Sequence, residues 1–201
     1  MDKFSIFKKT EKFYWSVNKI YYCTLFSILG LAYFLKDVSK SAEKSFLWFS
    51  IATLITGLIL KFRGLTQIEP LRGTLEGDLI FERESINIGG KSYSLDEINS
   101  IQINNDDYSG KLINITRGNI GPALSNGTNN SVILFLKSKE TKKYLFELIN
   151  SNDFQNVRMI LIEYHLKGKI DFWELANVLG DKSSSEINDL TDEITKISTI
   201  H

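Results

Sequence analysis

Two apolar stretches dominate the first third of the chain. From Ile20 to Leu35 (IYYCTLFSILGLAYFL) no charge occurs for 16 residues, and after KDVSKSAEK a second uncharged run of 16 follows from Ser45 to Leu60 (SFLWFSIATLITGLIL). As helix each run covers about 24 Å, against about 30 Å of bilayer hydrocarbon. Lys19, Lys36, Lys44 and Lys61 can carry their ammonium groups to the headgroups, and Tyr14, Trp15, Tyr21, Tyr22 and Trp48 suit the interfacial belt. A signal peptide and a buried soluble helical pair compete with this reading. The first lacks an A-x-A-like cleavage site, and the second lacks a polar face to turn to water. The pattern predicts a basic cytosolic N-terminus (1–19) and a transmembrane helical hairpin (20–62). The basic flanks place both termini in the cytoplasm, a multi-pass inner-membrane topology. Cys23, Ser27 and Gly30, and Ser50, Thr53 and Gly57, recur three and four apart and are expected to form helix-helix packing stripes.

Beyond a linker (63–70) the period shortens to two. In TLEGDLIFERESINIGGKSYSLDEINSIQI apolar residues alternate in short runs (Leu79 and Phe81; Ile86 and Ile88; Tyr93 and Leu95; Ile98, Ile101 and Ile103), and Gly89-Gly90 is a two-residue hairpin signal. SVILFLKS and KKYLFELI, joined by KET, predict a further hairpin. The period then lengthens. Asn150, Ser151 and Asp153 offer helix-start chemistry, and Phe154, Val157, Leu161 and Tyr164 form the apolar face of a helix ending near Gly168. A shorter helix is expected from Asp171, whose DFWE matches a variant capping box, to Gly180.

This order of elements, with the segments GTLEGDLIFERESINIGGKSYSLDEINSIQIN and YSLDEINSIQI, resembles uncharacterised bacterial membrane proteins that carry two N-terminal transmembrane helices and a pleckstrin-homology-like domain. The resemblance implies a membrane-anchored α+β protein: an N-terminal transmembrane helical hairpin, then a pleckstrin-homology-like antiparallel β-barrel (71–167) with C-terminal helices. It brings no catalytic residues. Phosphoinositide-binding members use a basic first hairpin, whereas EGDLIFERES carries Glu76, Asp78, Glu82 and Glu84 against Arg83.

The formal charge is zero, with 24 basic and 24 acidic side chains, which argues against nucleic-acid binding through bulk electrostatics. One cysteine, Cys23, excludes an internal disulfide and a CxxC site, and the two histidines, His165 and His201, assemble into no recognisable metal or catalytic constellation. No cofactor, metal or enzymatic activity is expected.

Between the predicted strands lies DYSGKLINITRGNIGPALSNGTNN (107–130), too long for a plain turn; such loops are commonly functional or disordered. Asp107, Tyr108, Arg117, Ser125, Asn126, Thr128 and Asn130 are its candidate ligand or partner-binding residues, against the reading that they cap their own backbone. His165, Lys167 and Lys169 complement a helix C-terminus, with an anionic membrane surface as the rival use. In the C-terminal helix and acidic amphipathic tail (168–201), Ile187, Leu190, Ile194 and Ile197 make a short apolar stripe, with Ser185 as a candidate cap. The stripe is expected to dock on its own domain or to associate with a second copy. The resulting expectation is a non-enzymatic scaffold or adaptor in the lipid bilayer that presents its domain to a protein or peptide partner. The alternative is a membrane effector that senses a small anionic molecule through loop 107–130, with oligomerising hairpins.

Overall fold

The computed structural model describes residues 3–35, 40–113 and 118–199. The chain forms two compact units. One holds Met1–Thr10, Leu71–Lys111 and Asn126–His201, and the other Glu11–Pro70 and Leu112–Ser125.

The first unit is built on a seven-stranded antiparallel sheet. Its strands are β1 (Lys3–Lys9), β2 (Gly73–Phe81), β3 (Ser85–Ile88), β4 (Lys91–Ser94), β5 (Ile98–Asn104), β8 (Asn130–Leu136) and β9 (Thr141–Phe146), while β6 (Ser109–Leu112) and β7 (Leu124–Asn126) pair in a separate two-stranded sheet. They lie in the order β4-β3-β2-β1-β9-β8-β5. The residues expected as a basic N-terminal extension therefore form the middle strand: β1 pairs Phe4 with Leu79 of β2 on one side and Ile6 with Phe146 of β9 on the other. Phe4 is 4% exposed and stacks on Phe154 with ring centroids 4.9 Å apart. Gly89 and Gly90, with φ of 59° and 82°, make the β3–β4 turn that their sequence predicts.

One face of the sheet is covered by helices. A 3₁₀ turn (Asp153–Val157) leads into α3 (Arg158–Leu166), followed by α4 (Phe172–Leu179) and α5 (Ser184–Ser198). Phe154, Val157, Leu161 and Tyr164 all face the core, joined by Leu175 of α4. Local chemistry fixes the helix ends. The Asp171 carboxylate accepts the Glu174 N–H at 3.0 Å, and Gly180 closes α4 in the left-handed conformation. The tail helix has a capping box of Ser183 with Glu186, two residues before the serine expected from sequence. Leu190 is fully buried, with Ile194 and Ile197 packed against the same core and Ile187 half-buried, so the stripe docks on its own domain. Arg158 clamps this arrangement, donating to Glu193 at 2.8 Å and Asp181 at 2.9 Å.

The expected closed barrel is not formed. β4 and β5 end the sheet without pairing to each other. The sheet nevertheless curls: the hydroxyls of Tyr93 in β4 and Tyr144 in β9 are 2.6 Å apart, where strand spacing alone would set them roughly 19 Å apart. Closure stops because the outward edge of β5 is already occupied. Ile101 N–H donates to Lys169 O and Ile103 N–H to the Glu174 carboxylate, both at 2.8 Å.

The second unit contains α1 (Val17–Leu35) and α2 (Lys40–Gly64), packed together. Here the expected hairpin of two membrane spans is corrected. Among the described residues only α2, over Glu43–Gly64, is long and apolar enough to cross a bilayer. Asn18, Lys19, Tyr21 and Tyr22 occupy the first turns of α1 and dilute its apolar run. The expected multi-pass topology is therefore not supported. Ser50, Thr53 and Gly57 do lie on the shielded side of α2. The Tyr21 hydroxyl donates to Thr53 O at 3.3 Å, and a Cβ on Gly57 would meet that hydroxyl at 2.3 Å. On α1, however, Cys23 and Ser27 are exposed and Gly30 has no atom near its Cβ position; Asn18, Tyr21, Leu25, Ile28 and Ala32 form the more shielded side.

Candidate functional site

The residues singled out in loop 107–130 are largely used in holding the loop. Asp107, Ser125, Thr128 and Asn130 are each under 9% exposed. Asp107 N–H donates to Asn130 Oδ1 at 2.9 Å, and the Asp107 carboxylate accepts Asn129 N–H at 3.0 Å. Asn130 Nδ2 donates to Gly127 O at 2.8 Å, while Asn126 Oδ1 accepts the Thr128 hydroxyl at 2.7 Å. Tyr108 packs against the core. Arg117 lies outside the described residues. Gly127, at φ 76°, has no room for a side chain: a Cβ would lie 2.1 Å from Leu148 O. This is the geometry of Asx turns closing the ends of a loop.

The loop's middle belongs to the helical unit. Asn18 of α1 donates to Asn119 Oδ1 at 2.5 Å and accepts Ile120 N–H at 2.9 Å, and the Tyr22 hydroxyl donates to Gly118 O at 2.6 Å. At the end of α2, Gly64 O accepts Ala123 N–H at 2.9 Å, and a Cβ on Gly64 would meet Gly121 O at 2.3 Å. The sequence signal for this attachment was an amide at the start of one apolar helix and a glycine at the end of the other.

A concave surface lies elsewhere in the sheet unit. A groove of about 580 Å³ runs over β5 and β8 beside the α3–α4 connection, lined by Gln102, Phe135, His165, Lys169, Phe172 and Glu174 among others. Just past the end of α3, Gly168 with its φ of 70° turns the chain back. That turn brings Lys169 Nζ to Ile98 O at 2.7 Å and sets Ile170 O 2.9 Å from His165 Nδ1. A carbonyl only accepts, so the Nδ1 of His165 carries a proton in this contact. Phe172 meets the imidazole edge-on at 6.1 Å, and Phe135 is 36% exposed. Glu174 is committed to β5, and Lys167, expected at the helix end, is paired with Glu84 at 2.7 Å. The groove thus offers two phenyl walls and one imidazole over a polar strand. This is recognition chemistry, suited to an aromatic or aliphatic side chain.

No family model, curated protein or solved structure matches this chain.

Proposed function

We propose that this protein is a membrane-inserted adaptor. Its apolar helical insertion seats in a lipid bilayer, and its sheet domain offers the Phe135–Phe172 groove to a protein or peptide partner. The observation that carries the reading is the outward face of α2. Trp48, Leu54, Ile55, Leu58, Ile59 and Phe62 are 53–70% exposed, and only 6% of the helix's most apolar window is buried. A core helix of a soluble domain buries such a face, and an apolar surface of this extent calls for an apolar surrounding. A cleaved signal sequence is disfavoured because β1, the middle strand of the sheet, precedes both helices. Since β1 and β2 are neighbours, both ends of the insertion meet the same strand pair. Lys12, Lys19, Lys61 and Arg63 at its ends favour the cytoplasmic face.

Alkaline carbonate extraction of cell membranes tests the insertion: the full chain is expected in the pellet, and release as a monodisperse soluble protein would refute it. For the groove, a photo-reactive residue at Gln102 is expected to capture one defined partner whose yield falls on Phe135→Asp. Equal capture from the exposed Lys143 position would remove the groove from the proposal.

A further inference from the structure

A second cluster, outside the groove lining, is left at the curl. Tyr93 is 3% exposed, whereas Tyr144 is half-buried, and their hydroxyls are 2.6 Å apart. A buried hydroxyl proton needs an acceptor. Either hydroxyl can donate to the other, so the pair consumes one of its two protons. With an anion on the exposed side, the buried Tyr93 hydroxyl can donate to Tyr144 and the half-buried Tyr144 hydroxyl can turn its own proton outward.

Two lysines flank it. Lys142 precedes Tyr144 by two positions on the same face of β9, and Lys91 precedes Tyr93 by two on the same face of β4. Lys91 Nζ stands 4.9 Å from the centre of the Tyr93 ring. Burial pushes the Tyr144 phenol up to about 12, helped by its bond to Tyr93, while Lys91 and Lys142 both pull it down. The one carboxylate among these residues is Glu140, 2.5 Å from Lys142 Nζ, in an exposed pair that costs little to break.

We propose that Lys91, Lys142 and the Tyr144 hydroxyl form a binding site for a phosphate monoester. Two cations and a neutral donor match a dianionic tetrahedral group with several acceptor oxygens. A carboxylate, with one charge, is what Glu140 already supplies to Lys142, and Glu140 is the group the ligand displaces. The site uses neither the groove nor the loop and does not depend on the adaptor reading.

The test is calorimetric titration of the detergent-solubilised full chain with glycerol 3-phosphate, repeated with phosphatidic acid in zwitterionic nanodiscs. Saturable binding is expected, weakened about tenfold or more by Lys91→Gln and by Tyr144→Phe, because each removes a donor to a charged oxygen. Glu140→Gln is expected to tighten it, and Lys143→Gln, on the opposite face of β9, to leave it unchanged. Each variant is first shown by circular dichroism to keep the wild-type fold. Binding of the soluble ester marks a free metabolite as the source, and binding of the nanodisc lipid alone marks a headgroup. Absence of saturable binding to both, or binding unaffected by Lys91→Gln and Tyr144→Phe, overturns the proposal.

Discussion

Lys9 and Gly73 face each other across β1 and β2, although residues 10–72 lie between them. Thr10 N–H continues the ladder to Arg72 O at 2.9 Å. The two apolar helices are therefore an insertion within one strand pair, and the sheet needs nothing from them to set its register. Replacing residues 11–71 by a short Asn-Gly turn is expected to yield a sheet domain that is monodisperse without detergent and rich in β-structure by circular dichroism. Aggregation of that variant from otherwise folded material would show that the insertion contributes to the sheet's stability.

The N-terminal strand is expected to be essential. Phe4 lies among Phe81, Phe146 and Phe154, with centroids 4.9–6.0 Å away. Phe4→Ala should cost about 3–5 kcal/mol, by analogy with other buried aromatic truncations. Urea unfolding followed by tryptophan-independent circular dichroism measures it, and a loss below about 1 kcal/mol would mean that β1 is only loosely held.

High pH should reveal the tyrosine pair. Tyr144 titrates near 12 in the folded protein against about 10 when unfolded, so its neutral form is favoured by folding. Its contribution to stability is fully present below pH about 10 and is lost as pH rises through about 12. Absorbance at the phenolate band should show this late titration, and Tyr93→Phe should lower it only in part, because burial is the larger cause.

Asn130 is the pivot of the long loop. It is fully buried and serves Asp107 N–H and Gly127 O together. Asn130→Ala removes the side-chain acceptor of Asp107 N–H, while Gly127 O keeps the Leu148 N–H at 2.9 Å, and should destabilise the sheet domain by about 1–3 kcal/mol. Hydrogen exchange should then quicken at Asp107 and Ser109 before it does in β2 or β3; uniform quickening would mean that the loop unfolds with the sheet.

Much of the fold is written in local pattern. Alternation of Leu79 with Phe81 and Ile86 with Ile88 needs only a pleated strand with one wet face, Gly89-Gly90 needs only its own backbone freedom, and Asp171 and Gly180 cap a helix with their immediate neighbours. The apolar runs were equally legible, though the polar start of α1 separates it from α2 as a membrane-crossing helix. Other features depend on partners remote in sequence. KFSIFKK carries lysines at both ends and reads as a solvated extension, until Leu79 and Phe146 supply the surfaces that Phe4 and Ile6 bury. Only the folded chain shows that Ile101 and Ile103 give their edge N–H groups to Lys169 and Glu174, which leaves the sheet open, or that Asn18 takes hold of Asn119. The same holds for Tyr93 meeting Tyr144. Sequence determined the period, the caps and the apolar surface; tertiary structure decided pairing and closure, because those energies arise between groups whose proximity no local pattern encodes.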